Sequence, residues 1–262
     1  MSYIGTDDFG LEVAKGNVAG HTAVNKFGQA LDCDSGVPTD IWDGADGTTS
    51  TDLWVPPTTA RSHNLASTSA NDDGTGFPLS GLRSVRVYGL TSWGASEVTE
   101  DVTLNGTANV ATSASFVIIY RMRGLTWGTS PSNEGIVTAT AATDATVTAA
   151  IQTGNNQTLM AIYAVPNTQK LYITRMYATV QRQTAASVDI SLLVNDSALV
   201  ETSENLGWRV RQKLSASNDG PLDRYFNPPL QVDGSAFVKM QANSSANNTV
   251  VSGAFDGFLV DD

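Results

Sequence analysis

From about residue 60 onward, apolar and polar positions alternate with a period of two, the pattern of strands that bury one face. Residues 83–90 alternate in this way. Residues 97–104 do so as well and end at Asn105-Gly106, a dipeptide whose two members accept positive φ and which predicts a hairpin turn. Residues 115–122 form a continuous apolar run, expected to be buried on both faces. Residues 135–141 and 145–151 read as a pair turning at Thr143-Asp144. Residues 158–165 stop at Pro166-Asn167, 170–180 alternate throughout, and 187–194 close at Asn195-Asp196. In 208–214, Trp208, Val210, Gln212 and Leu214 share one face and Arg209, Arg211 and Lys213 the other. Two more strands are predicted over 237–242 and 249–260. This is roughly a dozen strands at hairpin-like spacing, the pattern of a sandwich or jelly roll. No amphipathic helix and no repeat of fixed period is visible, which excludes a helical bundle, a propeller and a solenoid. The expected fold is all-β: an antiparallel β-sandwich or jelly-roll-like domain over 59–262, either undivided or split into two subdomains near Pro166.

Residues 1–58 differ. They are rich in Gly, Asp, Thr and Pro, and no alternation lasts more than a few positions. Yet apolar anchors are scattered through them (Tyr3, Phe9, Leu11, Val13, Phe27, Ile41, Trp42, Leu53, Trp54), too many aromatics for a disordered tail. The segment reads as an extended, mostly irregular N-terminal arm. It either packs back on its own domain or lies on a neighbouring subunit. In the second case Phe27, Ile41, Trp42, Leu53 and Trp54 are the partner-binding residues.

Composition narrows the function. Charged residues make up 16% of the chain, and Thr, Ser, Asn, Ala and Gly take their place, which suits strands with short polar side chains outside. Net charge is −11, with −7 of it in the first 60 residues, where nine acids face two lysines. Such a chain repels phosphate backbones, so no nucleic-acid partner is expected. The single cysteine, Cys33, rules out an internal disulfide framework and fits assembly in a reducing cytoplasm. The N-terminus lacks the basic and apolar regions of a signal peptide, and no apolar run reaches membrane-spanning length, so no membrane association is expected.

The catalytic inventory is thin, and neither an enzymatic activity nor a cofactor is expected. His21, His63 and Cys33 have no supporting motif around them. Gly74-Thr-Gly-Phe-Pro lacks the following helix of a cofactor loop and reads as a turn. A glycosidase needs two carboxylates across a cleft. The acids here (Asp72, Asp73, Glu100, Asp101, Glu201, Glu204, Asp219, Asp223) read as loop tips. The stretch 32–43 places Asp32, Asp34, Asp40 and Asp43 at positions 1, 3, 9 and 12 of a calcium-loop frame. Its glycine falls one position early and Pro38 interrupts it, so these four acids are weak metal candidates beside the alternative of Asx-turns. Tyr88, Trp93, Trp127, Tyr163, Tyr172, Tyr177 and Trp208 are core residues or, where exposed, platforms for a sugar ring.

Several strings carry a resemblance: Gly16-Asn-Val-Ala-Gly-His-Thr-Ala-Val-Asn-Lys26-Phe27-Gly28, then Asp32-x-Asp34-x-Gly36, Asp40-Ile41-Trp42, Arg83-x-Val-Arg-Val-Tyr-Gly-Leu and Asp101-Val-Thr-Leu-Asn-Gly106-Thr. Asn156-Gln-Thr-x-Met-Ala-Ile-Tyr-x-Val-Pro166 and the ending Phe255-Asp-Gly-Phe-Leu-Val-Asp-Asp belong with them. Over nearly its whole length the chain resembles a group of structural proteins of tailed bacteriophages, common in aquatic phages. The resemblance implies a virion protein assembled in the host cytoplasm. A capsid decoration or cement protein on the outer capsid surface is one form of it. Its partners would be the major capsid protein and copies of itself, as a homo-oligomer, a trimer by preference. A tail, neck or fibre component that contacts the host is the other.

Overall fold

The computed structural model describes residues 8–44, 52–76, 79–181, 187–196, 207–216 and 220–262. Among them one short helix, α1 (Phe9–Ala14), precedes sixteen strands. Two strands come first, β1 (His21–Cys33) and β2 (Pro38–Asp40). Then follow β3 (His63–Ser67), β4 (Leu82–Leu90), β5 (Val98–Thr103), β6 (Val110–Ala111), β7 (Ile118–Trp127), β8 (Val137–Ala141) and β9 (Val147–Ile151). The last set is β10 (Ile162–Val165), β11 (Gln169–Gln181), β12 (Val188–Asn195), β13 (Arg209–Ala216), β14 (Gly220–Asp233), β15 (Ala236–Ser244) and β16 (Thr249–Asp261).

The strands form four antiparallel sheets. The first runs β1-β16-β11-β14, and the second runs β10-β15-β12-β13 with β2 also on β15. The third runs β6-β3-β8-β9 and the fourth β5-β4-β7. The first two sheets share a core through Met176, Phe255, Ile190, Leu192 and Met240; the other two contribute Leu65, Val85, Met122 and Ile151 to the same continuous cluster. The fold is thus an all-β sandwich architecture in which the consecutive strands β3–β9 are inserted between β2 and β10 of a sandwich built from both ends of the chain.

This nesting corrects the expected arm. Residues 21–33 are not irregular: β1 pairs along its length with β16, from His21↔Val260 to Cys33↔Thr249. The alternation is masked in the sequence because two of its inward positions are Lys26 and Gly28, flanked by Val24 and Ala30. Gly28 is there for contact between the sheets. A Cβ on it would lie 2.3 Å from the Ile41 carbonyl oxygen and 2.4 Å from the Ala161 nitrogen. Tyr3 and residues 45–51 of the expected arm lie outside the described residues.

Two turn readings also change. Asn105-Gly106 does turn, with Gly106 at φ 57, but it does not join paired strands. It carries the chain from β5 in the fourth sheet to β6 in the third. Pro166-Asn167 is likewise a crossing, from β10 in the second sheet to β11 in the first, and not a boundary. The predicted pair at Thr143-Asp144 is present as β8 and β9.

Candidate interaction surface

Each predicted anchor has a definite place. Ile41, Trp42 and Trp54 are buried in the protein's own core. Trp54 donates its indole N–H to the Thr148 carbonyl (2.9 Å) and meets Phe237 edge-on at 5.4 Å. These three hold the chain to itself, so they are not available to a partner. Leu53 is 51% exposed, and Phe27 is half-buried on the outer face of the first sheet.

The four candidate metal ligands do not converge. Asp40 is buried against Lys239 (2.5 Å) and Gln241 (2.9 Å), and accepts the Trp54 backbone N–H at 2.7 Å. Asp43 accepts the Leu159 backbone N–H at 3.0 Å. Asp34 is exposed, and desolvation raises the pKa of Asp32, with Asp34 and Asp52 adding to the effect. Among the described residues no group of three or more His, Cys, Asp or Glu is disposed to hold a metal ion. The loop frame fails because Asp40 belongs to a strand, which turns its side chain onto the second sheet.

The acids weighed as a glycosidase pair are committed elsewhere. Asp101 takes a bidentate Arg86 (2.6 and 2.7 Å), and Glu100 accepts the backbone N–H of Ser113 and Ala114. Asp72 is buried, not a loop tip. It accepts from Leu82, Glu134 and Gly135 backbone amides and from the Ser67 hydroxyl, tying three loops together. Glu201, Glu204 and Asp219 lie outside the described residues. Cys33 and His21 occupy opposite ends of β1, about 40 Å apart at strand rise. Burial pushes the Cys33 thiol up to about 12 and His63 down to about 4.

A buried ionisable cluster had no signal in the sequence beyond an unexplained lysine. Lys26 reaches from β1 to the Tyr120 carbonyl (2.5 Å), while the Tyr120 hydroxyl donates to Glu97 (2.7 Å). Desolvation holds Lys26 well below the usual lysine range, and Arg121 adds to the effect. The group joins β1 of the first sheet to β7 of the fourth. Its amine is enclosed, so it serves packing.

The outer face of the first sheet is the exposed feature. Strand register sets Asn25, Asp256, Arg175 and Tyr225 in one row and Phe27, Ala254, Tyr177 and Asp223 in the next. Arg175 pairs in bidentate fashion with Asp223 (2.9 and 2.8 Å). Its guanidinium stacks 4.6 Å from the Tyr177 ring and 4.9 Å from that of Tyr225. Tyr225 is 64% exposed. Beside Phe27 and Tyr177 is a depression of about 230 Å³ floored by Gly253 and Ala254. Arginine and tyrosine already fixed in place lose little freedom on contact, so this face is suited to protein binding.

No protein-family model and no curated protein matches the chain. Two solved structures show a weak similarity to the chain. One is the crystal structure of the infectious bursal disease virus VP2 subviral particle, with 10% identity over 92% of this chain and 72% of that one and a TM-score of 0.22. The other is the structure of the infectious bursal disease virus Gx strain, with the same identity and coverage and a TM-score of 0.19. At these values the likeness carries no weight for fold or role. No helix among the described residues is long and apolar enough to cross a membrane.

Proposed function

We propose that the chain is a non-enzymatic structural protein of a tailed-phage particle, a capsid decoration or cement protein that associates with itself and braces neighbouring capsid subunits. The observation that carries the reading is the Arg175–Tyr177–Tyr225 stack on the outer face of the first sheet, a rigid, exposed aromatic–arginine surface. Interface cores favour these residue types, and symmetric repetition multiplies modest contacts. The resemblance to phage structural proteins over most of the chain supports the same reading. The contact role that the sequence suggested for Trp42 and Trp54 passes to Phe27, Tyr177 and Tyr225, because the two tryptophans are enclosed.

The test is cosedimentation of the purified chain with capsid shells that lack it. Binding that saturates at a symmetric ratio and weakens in Tyr225→Ala supports the proposal. Absence of binding to shells contradicts it. A tail, neck or fibre component contacting the host is the second reading, and it draws on one observation, a polar-rimmed pocket beside Trp127.

A further inference from the structure

That pocket, about 470 Å³, lies where the end of β7 meets the turn 155–157, and it shares no lining residue with the depression on the first sheet. Arg123, Leu125 and Trp127 of β7 all line it; the register against β4 shifts between Gly124 and Thr126, a bulge that breaks the alternation and re-aims Trp127. Trp127 is 36% exposed, so one large apolar ring meets solvent. Its indole N–H donates to Asn156 Oδ1 at 2.8 Å, which fixes the ring and leaves its face without a polar requirement. Gly124 gives the ring room: a Cβ there would lie 2.9 Å from Trp127 Cζ2.

Asn156 is itself locked. It sits at φ 59, donates its backbone N–H to Asn133 Oδ1 (2.9 Å) and its side-chain amide to the Pro131 carbonyl (2.9 Å). Its oxygen also accepts the Asn133 backbone N–H at 3.0 Å, and its carbonyl accepts the Gly124 N–H at 2.7 Å. Five hydrogen bonds therefore go to holding one indole in position. The other polar side chains of the pocket are different. Arg123, Asn155 and Gln157 have no side-chain hydrogen bond or ion pair with any described residue.

A pre-positioned aromatic face beside a free guanidinium and two free carboxamides matches one ligand chemistry. A pyranose ring presents a patch of C–H bonds that packs on an indole and a rim of hydroxyls that bond to amides and guanidinium. A wholly apolar ligand would strand the three polar groups at a desolvation cost. A nucleotide would meet a chain of net charge −11. We infer that the pocket formed by Trp127, Arg123, Asn155 and Gln157 is a subsite for one pyranose residue of a glycan. The inference stands on the pocket and holds in either role proposed above.

The test is saturation-transfer NMR on the full chain with the methyl glycopyranosides of glucose, galactose, mannose, N-acetylglucosamine and glucuronic acid at millimolar concentration. At least one is expected to receive saturation at its ring protons. Its affinity should fall by about tenfold or more in Trp127→Ala and in Arg123→Ala, and stay unchanged in Tyr225→Ala. Asn155→Ala, at an exposed side chain of the same pocket, should weaken binding too and keeps the test independent of folding at Trp127. No transfer to any of the five sugars, or transfer that persists in Trp127→Ala and Arg123→Ala, overturns the inference. Failure of shell binding with sugar binding intact would remove the decoration role alone.

Discussion

Lys239 Nζ lies 2.5 Å from Asp40 Oδ2, and the two side chains are 4% and 0% exposed. The pair joins β15 to β2, segments separated by the entire inserted sandwich. The Trp208 ring covers the ammonium at 4.3 Å, while Gln241 and the Trp54 backbone N–H complete the carboxylate shell. Removing one partner leaves the other charge buried. Lys239→Met should therefore cost about 3–5 kcal/mol. Asp40→Asn combined with Lys239→Met should cost much less than the sum of the single changes. Urea unfolding of the four proteins in the cycle measures this, and additive losses would show that the two groups do not act as a pair.

His63 gives a pH dependence with a definite sign. Its ring packs against Phe116 at 6.2 Å, Nδ1 lies 3.0 Å from the Arg61 carbonyl oxygen, and Nε2 is buried with no hydrogen-bond partner among the described residues. Burial lowers its pKa from 6.5 to about 4. The unfolded chain binds a proton in that window and the folded chain does not, so stability falls as pH drops from 6.5 towards 4. The loss is on the order of 3 kcal/mol. His63→Gln should flatten the pH profile of the thermal midpoint over that window. An unchanged slope would place the effect on other groups.

Gly28 and Gly253 are paired across β1 and β16. A Cβ at Gly253 would meet Met240 Cε and Ile41 Cδ1 at 2.8 Å, side-chain ends that can shift. A Cβ at Gly28 would meet backbone, which cannot. Gly28→Ala should therefore exceed the usual overpacking cost of about 1–3 kcal/mol, and Gly253→Ala should fall within it. Gly207→Ala, which meets nothing within 4 Å, is the neutral control. Denaturant midpoints order the three, and equal losses at Gly28 and Gly253 would refute the close-approach account.

The outer-face stack should matter for association and little for folding. Arg175 and its Asp223 partner are both more than a third exposed, so the pair contributes little to stability. Arg175→Ala should leave the melting temperature nearly unchanged and weaken shell binding or self-association by about tenfold or more. Sedimentation velocity and cosedimentation read both effects. A large fall in melting temperature with intact association would reverse the assignment.

Strand positions were legible wherever inward residues are apolar, as in β4, β7 and β11. β1 was hidden because Lys26 and Gly28 occupy two of its inward positions, and two groups that account for them, the Tyr120 carbonyl on β7 and the Ala161 backbone just before β10, lie far away in sequence. The Asn105-Gly106 signal reports a local backbone conformation and cannot tell a hairpin from a crossing between sheets. The sandwich class depends on local alternation and is therefore readable. The nesting depends on which distant strands pair, β1 with β16 above all, and a single sequence holds no local trace of that. Trp127 was among the aromatics named as a sugar platform, but its exposure and its fixation by Asn156 arise from a turn some thirty residues on, and only the fold brings them together.

The central claim is that this chain is a repeated component of a particle shell. Its most direct test is copy number per purified particle, measured by quantitative mass spectrometry against the major shell protein. A decoration role predicts on the order of hundreds of copies, as icosahedral repetition requires. About a dozen copies would place the chain in the tail or neck and contradict the decoration role, and finding none would contradict the particle role altogether.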